Sequence, residues 1–211
     1  MARTRSKICG ITRVEDAQQA SEAGVDAIGL VFYAASKRVV TLERAQAIQS
    51  SLPAFVSTTA LFVNPQADAV KTVLAGMHLD LLQFHGDEPA DFCRSFKLPY
   101  MKAIRVRPGL DVGAEIGRYP DAAAILLDTW DAEQAGGTGL QFDWSVARQC
   151  VRASAQKIVL AGGLNAQNVG EAIRQVRPYA VDVSSGVEAA PGIKDSGKII
   201  AFMQEVCRVQ A

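Results

Sequence analysis

Short apolar runs rich in β-branched residues alternate along this chain with stretches of helical periodicity. The apolar runs predict strands at 7–11, 27–32, 58–63, 81–85, 100–106, 124–129, 157–161 and 180–183. The amphipathic stretches predict helices at 14–23, 42–51, 67–75, 89–96, 145–153, 166–176 and 194–206, with a weaker helical pattern at 111–118. The pattern therefore indicates a series of strand–helix units.

Residues at the segment ends fit these helices. Thr12, Thr41 and Asn165 are predicted N-caps, because their side chains can accept a hydrogen bond from the first turn. Gly24 and Gly76 stand where a glycine commonly follows a helix.

Strands that are apolar on both faces, each followed by a helix, belong to a parallel sheet covered by helices. A doubly wound dinucleotide-binding sheet would carry G-x-G-x-x-G after its first strand, and Cys9-Gly10-Ile11-Thr12 does not provide it. We therefore predict a single-domain (β/α)8 TIM barrel over residues 1–211, without a linker or a second domain. The long segment 130–144, which contains Gly136-Gly137-Thr138-Gly139, is interpreted as an active-site flap.

Composition excludes several classes of protein. Lysine plus arginine and aspartate plus glutamate number 22 each, so the global charge gives no case for a nucleic acid or membrane partner. No apolar run approaches the roughly 18 residues of a membrane-spanning helix. Four scattered cysteines without a C-x-x-C pair, and no apolar secretory segment after Arg3 and Arg5, favour a reduced, cytoplasmic protein.

Cys9 ends the first predicted strand, and in a barrel the carboxyl ends of all strands meet at one mouth. Side chains alternate along a strand, so Lys7 and Cys9 should face the same side. If that side is the interior, the ammonium could lower the thiol pKa and favour a thiolate base. Packing as a small buried residue is the alternative for Cys9. Cys93, Cys150 and Cys207 fall in predicted helices and are interpreted as packing residues.

Asp128 ends the apolar run of the sixth predicted strand. An apolar setting could hold its carboxyl partly protonated, as a general acid requires. An aspartate that caps a turn is the alternative. A thiol and a carboxylate alone are a weak signal of catalysis.

Two turns rich in small residues give a stronger signal. Gly162-Gly163 follows the seventh predicted strand and Ser184-Ser185-Gly186 follows the eighth, which are the loops where many barrels bind phosphate. Glycines let backbone N–H groups approach an anion, and serine hydroxyls add donors. Either turn alone could be ordinary, but both in consecutive units predict a phosphate site.

Two further residues are candidates for substrate binding. Arg38, in the loop after the second strand, has a guanidinium that suits a carboxylate, although a solvated basic loop is the alternative. His85 ends the fourth strand and is a candidate polar residue at the rim, or else a packed histidine. His78 is the chain's other histidine, and without any Cys/His spacing we expect no metal site.

These segments together resemble the phosphoribosylanthranilate isomerase family, barrel enzymes of tryptophan biosynthesis. The resemblance runs nearly end to end and rests on the order of short motifs rather than on any one of them. They are Lys7-Ile8-Cys9-Gly10-Ile11-Thr12, Gly29-Leu30-Val31-Phe32, Ser36-Lys37-Arg38, Phe62-Val63-Asn64, Gln83-Phe84-His85-Gly86, Leu127-Asp128-Thr129, Gly136-Gly137-Thr138-Gly139, Phe142-Asp143-Trp144, Leu160-Ala161-Gly162-Gly163-Leu164 and Asp182-Val183-Ser184-Ser185-Gly186-Val187-Glu188. The family often has leucine where Phe84 stands, which disturbs no role.

The resemblance implies an Amadori rearrangement of phosphoribosylanthranilate, a small-molecule substrate, without a cofactor. Asp128 matches the general acid that protonates the furanose oxygen, and Cys9 matches the general base that removes the C2 proton. Arg38 matches the residue that holds the anthranilate carboxylate. The turns Gly162-Gly163 and Ser184-Ser185-Gly186 match the phosphate site. The expected assembly is a monomer or a homodimer.

Two alternatives stay open at this point. Another phosphate-binding barrel, such as indole-glycerol-phosphate synthase, is disfavoured because that family has a helical extension before its first strand and uses strand-borne lysine chemistry. A non-catalytic sugar-phosphate-binding barrel is disfavoured because it would need neither Cys9 nor Asp128.

Overall fold

Eight parallel strands close into a barrel in chain order, in a computed structural model that describes residues 3–129 and 144–209. The strands are Arg5–Cys9 (β1), Ala27–Val31 (β2), Ser57–Phe62 (β3), Leu81–Phe84 (β4), Tyr100–Val106 (β5), Ala124–Thr129 (β6), Ile158–Leu160 (β7) and Ala180–Val183 (β8). The helices are Val14–Glu22 (α1), Leu42–Ser50 (α2), Ala67–Gly76 (α3), Ala90–Arg94 (α4), Val112–Gly117 (α5), Trp144–Ala153 (α6), Val169–Val176 (α7) and Ser196–Arg208 (α8). The predicted (β/α)8 barrel is confirmed.

The first and last strands close the barrel. β1 pairs in parallel with β2 on one side and with β8 on the other, where Lys7 lies opposite Asp182. Outward-facing residues such as Ile8, Ile28 and Leu127 belong to the main hydrophobic core between strands and helices. A separate inner cluster, which includes Leu126, fills the barrel itself. This burial on both faces explains the nearly continuous apolar strands of the sequence.

A short hairpin follows β8 and was not predicted. After a 3-10 turn at Ser185–Val187, strands Glu188–Ala190 (β9) and Ile193–Lys194 (β10) pair antiparallel. The last helix was predicted from residue 194, but it begins at Ser196, where the Asp195 carboxylate accepts a hydrogen bond from the Lys198 N–H.

Three of the predicted helix signals are wrong. Arg13, not Thr12, precedes α1, and the Thr12 hydroxyl donates instead to the carbonyl of Gly192 in the hairpin. Asn165 caps a turn rather than a helix, because α7 begins only at Val169. Gly76 is the last residue of α3, and a Cβ there would lie 2.6 Å from a Leu42 methyl carbon, so close packing explains this glycine.

Other helix signals are confirmed. The Thr41 hydroxyl accepts from the Arg44 N–H at 3.2 Å. Gly24 follows the end of α1 with a φ of +87°, a backbone conformation that favours glycine. The weak pattern at 111–118 corresponds to α5.

Some predictions concern residues that are not described. The interpreted flap, including Gly136-Gly137-Thr138-Gly139, lies outside the described residues except for Trp144, which begins α6. Within the described ranges, no helix is long and apolar enough to cross a bilayer.

Candidate active site

A buried ion pair joins the first and last strands of the barrel. Lys7 on β1 donates from Nζ to both carboxylate oxygens of Asp182 on β8, each at 3.0 Å, and both side chains are almost wholly buried. Burial has the largest influence on the pKa of each of these two groups. It would lower the pKa of Lys7, but Asp182 and the Cys9 thiol raise that pKa above its usual value. The Asp182 pKa is raised by burial, against the attraction of Lys7.

Cys9 lies beside this pair, at the end of β1. Its thiol is buried, and the Lys7 ammonium is close enough for the two groups to act on each other's pKa. Gly29 of the neighbouring strand makes room for it, because a Cβ on Gly29 would lie 2.7 Å from the Cys9 sulfur and 3.0 Å from the Lys7 Nζ. The absence of a side chain at residue 29 therefore lets the thiol and the ammonium occupy the same small space.

The expectation that Lys7 gives Cys9 a lowered pKa is wrong in its net direction. Burial raises the pKa of the thiol and outweighs the opposite effects of the Lys7 and Lys194 charges. Asp182 adds to the increase, because its negative charge offsets that of the ammonium it binds. The thiol is therefore the favoured form of Cys9 at neutral pH.

Asp128 lies across the mouth, at the end of β6, in contact with His85 at the end of β4. His85 Nε2 is 3.1 Å from Asp128 Oδ2, and His85 Nδ1 is 3.1 Å from the amide nitrogen of Gln83. Asp128 and His85 are both partly exposed, whereas Gln83 is fully buried. Asp182 is near enough for the charge of Asp128 to act on its pKa. Asp182 therefore interacts electrostatically with both Asp128 and Cys9.

Arg38 is held by a partner that the sequence did not predict. Its Nε and Nη2 donate to the two carboxylate oxygens of Glu188 in β9, both at 2.7 Å. Lys194 of β10 donates to the same carboxylate at 2.9 Å and to the carbonyl of Ser184 at 3.0 Å. Burial would raise the pKa of Glu188, but the hydrogen bonds from Arg38 and Lys194 lower it overall. The hairpin therefore fixes the position of the guanidinium.

Gly10 connects Arg38 to the serine-rich turn. It has a φ of +75°, and a Cβ built on it would lie 2.5 Å from Arg38 Cδ and 3.2 Å from the Ser184 hydroxyl oxygen. These two side chains thus meet over the glycine that directly follows Cys9. A larger residue at this position would displace both.

The two glycine-containing turns after β7 and β8 lie against each other. Gly162 and Gly163 have φ angles of +81° and +63°, which favour glycine. A Cβ on Gly186 would lie well inside the van der Waals distance of the Leu164 carbonyl oxygen. The side chain of Asn168 donates to the Gly163 carbonyl at 2.9 Å and stabilises the first turn. Ser184 and Ser185 are at least partly exposed at the same place.

Another buried ion pair supports the loop after His85. Glu88 accepts from the backbone N–H groups of Asn64, at 2.7 Å, and Gly86, at 3.0 and 3.1 Å. The Lys102 ammonium donates to Glu88 at 2.8 Å and also to the Gly86 carbonyl. Because these groups are buried on the outer side of β5, we assign them to loop support rather than to chemistry.

The structure brings the sequence-predicted residues to one end of the barrel, in two adjoining parts. One part contains Cys9 and Asp128 around the Lys7–Asp182 pair, and the other contains Arg38 next to the two turns. Cys93 and Cys150 are buried as predicted, but Cys207 is exposed, so its interpretation as a packing residue is wrong. Among residues 3–129 and 144–209, no three His, Cys, Asp or Glu side chains are grouped as around a metal ion.

Sequence reasoning missed five residues of this site: Gly29, Gln83, Asp182, Glu188 and Lys194. Strand alternation could have identified Gln83, which lies two residues before His85 and therefore on the same face. The pairing of Glu188 with Arg38 joins residues 150 positions apart, and no local pattern indicates it.

Comparisons with known proteins show which family this chain is similar to. The family model described as N-(5'phosphoribosyl)anthranilate (PRA) isomerase matches residues 6–205. N-(5'-phosphoribosyl)anthranilate isomerase of Pseudomonas putida strain W619 is 56% identical over 207 residues, which are 98% of each chain. The protein of the same name from Azotobacter vinelandii is also 56% identical, again over 98% of each chain.

Solved structures give the same result. The crystal structure of phosphoribosyl anthranilate isomerase from Thermotoga maritima has a TM-score of 0.89 and 41% identity, covering 97% of this chain and 99% of that one. Another crystal structure, a phosphoribosyl anthranilate isomerase in complex with reduced 1-(o-carboxyphenylamino)-1-deoxyribulose 5-phosphate, has a TM-score of 0.86 and 40% identity, with the same coverage. The chain therefore belongs to the N-(5'-phosphoribosyl)anthranilate isomerase family.

Proposed function

We propose that this protein converts N-(5'-phosphoribosyl)anthranilate to 1-(2-carboxyphenylamino)-1-deoxyribulose 5-phosphate in tryptophan biosynthesis. The reaction is an Amadori rearrangement in which Asp128 is the general acid and Cys9 the general base. The observation that carries the assignment of roles is the placement of these two groups on β1 and β6 around the buried Lys7–Asp182 pair. Family membership supports the substrate and the reaction type.

Asp128 acts first. Its carboxyl proton passes to the furanose ring oxygen, the bond from C1 to that oxygen breaks, and the anilino nitrogen forms a double bond to C1 as an iminium ion. The partial exposure of Asp128 at the mouth allows contact with a bound sugar. A positioned general acid contributes roughly 10²–10⁴-fold to the rate.

Cys9 acts second. The thiolate removes the proton at C2, and the C2–H electron pair moves toward the iminium, which leaves a neutral enolamine. The Cys9 thiol then gives this proton to C1, and the enol O–H proton passes to the Asp128 carboxylate, which yields the ketose and restores both groups. Burial disfavours the thiolate, and the positive charge of the iminium favours it at the moment when the base is needed.

Arg38 and the two turns bind the ends of the substrate. The Arg38 guanidinium, held from one side by Glu188, binds the anthranilate carboxylate. Gly162, Gly163, Ser184, Ser185 and Gly186 bind the phosphate through backbone N–H groups and hydroxyls. His85 borders the substrate through its contact with Asp128.

The fluorescence decay of phosphoribosylanthranilate provides the test of the acid and the base. Asp128→Asn and Cys9→Ser should each lower kcat/KM by roughly 10²–10⁴-fold, because each removes one proton-transfer group. Asp68→Asn and Cys207→Ser are matched controls at exposed positions and should retain wild-type rates. Full activity in a folded Asp128→Asn or Cys9→Ser variant would remove that residue from the mechanism.

The carboxylate site is tested separately. Arg38→Ala should mainly raise KM, because the guanidinium binds the substrate without moving a proton. Arg44→Ala, at an exposed position on α2, is the matched control. An unchanged KM in Arg38→Ala would assign the carboxylate to another group.

A further inference from the structure

Three side chains form a directed series of hydrogen bonds that ends on Asp128. Gln83 lies on the inner face of β4, and His85 directly follows the end of that strand. The Gln83 amide nitrogen is 3.1 Å from His85 Nδ1, and His85 Nε2 is 3.1 Å from Asp128 Oδ2. With the Gln83 amide nitrogen facing Nδ1, Nδ1 accepts and the ring proton resides on Nε2. His85 therefore donates to Asp128.

The surroundings of Gln83 indicate that its role is to form the hydrogen bond to His85. Gln83 is fully buried, and its carbonyl oxygen has no hydrogen-bond partner among the described residues. A buried acceptor without a partner costs free energy, which an apolar residue at this position would avoid. Within the described part of the chain, the bond to His85 is the one hydrogen bond of this side chain.

We infer that Gln83 and His85 are positioning residues for Asp128, an inference that rests on the proposed role of Asp128 as general acid. Gln83 fixes the Nε2–H tautomer of His85. His85 then holds Oδ2 of the carboxyl, so that Oδ1 carries the acid proton toward the ring oxygen of the substrate. When that proton leaves, the His85 N–H already stabilises the carboxylate that forms.

The charged groups around this series come from several strands. Asp182 on β8 interacts with both Asp128 and His85, and Lys7 on β1 neutralises Asp182 in turn. Arg105 on β5 lies opposite Asp128 in the strand register. A second proton on the imidazole would place an N–H against the Gln83 amide N–H, so this series of bonds requires the neutral ring.

Nitrogen-15 NMR of the histidine side chains tests the tautomer without any assay of activity. The chain has two histidines, and the His78→Gln variant leaves His85 as the sole signal. His78 is an exposed residue between α3 and β4, so this variant should keep full activity. At neutral pH the remaining signal should show the Nε2–H tautomer. A signal from the Nδ1–H tautomer or from imidazolium would overturn the inference.

Substitution of Gln83 should change the tautomer and the rate together. Gln83→Glu places an acceptor at Nδ1, so the signal should move to the Nδ1–H tautomer, which leaves Nε2 without a proton to donate to Asp128. The kcat should fall about 10- to 100-fold with little change in KM, because a hydrogen bond to an ionised group is lost. Gln204→Glu, an exposed site on α8, is the matched control and should change neither quantity. A wild-type kcat in Gln83→Glu would overturn the inference.

His85 itself gives a rescue test. His85→Ala should lower kcat by a similar factor of about 10 to 100. His85→Gln keeps an N–H donor on a neutral side chain and should recover part of that loss. Equal rates in the two variants would assign to His85 a packing role only.

The outcomes separate this inference from the proposed function. If the wild-type protein turns over phosphoribosylanthranilate but His85 is not in the Nε2–H tautomer, the inference fails and the function stands. If the wild-type protein shows no turnover, the proposed function fails, and the inference falls with it whatever tautomer is measured.

Discussion

Gly29→Ala adds one carbon atom that should displace the thiol of Cys9, the proposed general base. Gly29 lies on β2 opposite Cys9, and the added Cβ would lie 2.7 Å from the Cys9 sulfur, 3.0 Å from the Lys7 Nζ and 3.1 Å from the Cys9 Cα. The two side-chain distances are below the 3.4 Å at which ordinary van der Waals contact begins. The thiol and the ammonium must therefore both move.

The size of the effect follows from these distances. Restoring 3.4 Å requires the sulfur to move by at least 3.4 − 2.7 = 0.7 Å away from residue 29. A misplacement of about 1 Å can lower the rate of a catalysed step about a hundredfold. We expect kcat to fall about 10- to 100-fold. Overpacking of this kind should also destabilise the fold by about 1–3 kcal/mol.

The assay compares two glycine-to-alanine variants by substrate fluorescence decay and thermal unfolding. Gly117→Ala is the matched control, because Gly117 ends α5 and a Cβ there would meet nothing within 4 Å. The control should keep wild-type kcat and the same or slightly greater stability. A Gly29→Ala variant with wild-type kcat and KM would refute the reasoning that the position of the thiol limits catalysis.

Three further predictions concern other parts of the site. Burial opposes ionisation of Glu188, but hydrogen bonds from Arg38 and Lys194 lower its pKa in the folded protein. The Glu188 carboxylate therefore stabilises the fold above its unfolded pKa near 4.5, and this stabilisation is lost as the pH falls below that value. Glu188→Gln should remove this pH-dependent part of the stability from melting curves measured at several pH values. Lys102→Met should cost about 3–5 kcal/mol in denaturant unfolding, because it leaves the Glu88 carboxylate buried without its cation, and a normal unfolding midpoint would contradict this. Gly186→Ala should raise KM for the substrate and the inhibition constant of inorganic phosphate by about tenfold, since both turns must move apart; unchanged phosphate inhibition would exclude these turns as the anion site.

The barrel was predictable from the sequence because its signal is local and repeated. Most strand residues are apolar on both faces and the predicted helices are amphipathic, so the order of elements could be derived from periodicity. The boundaries were less accurate where a side chain has an alternative partner. Thr12 could have capped α1, but its hydroxyl donates a hydrogen bond to the Gly192 carbonyl instead. These residues are 180 positions apart, so no local sequence pattern predicts the contact.

The site was predictable in its residue types but not in its electrostatics. Strand ends identified Cys9, Asp128 and the two turns, and the barrel brings them to one mouth. The pKa of Cys9 was assigned the wrong direction, because alternation places Lys7 beside the thiol but shows neither the burial that raises this pKa nor the Asp182 charge that offsets Lys7. Interactions between distant strands depend on barrel closure and register, which are properties of the folded chain.

The pair formed by Lys7 and Asp182 also has a consequence for how the chain is made. These residues are 175 positions apart, so on the ribosome the ammonium emerges long before its carboxylate. A nascent chain that still lacks β8 cannot bury Lys7 without leaving its charge uncompensated in an apolar interior. Incomplete chains should therefore keep β1 hydrated, and closure of the ring and neutralisation of its centre become a single late event of synthesis.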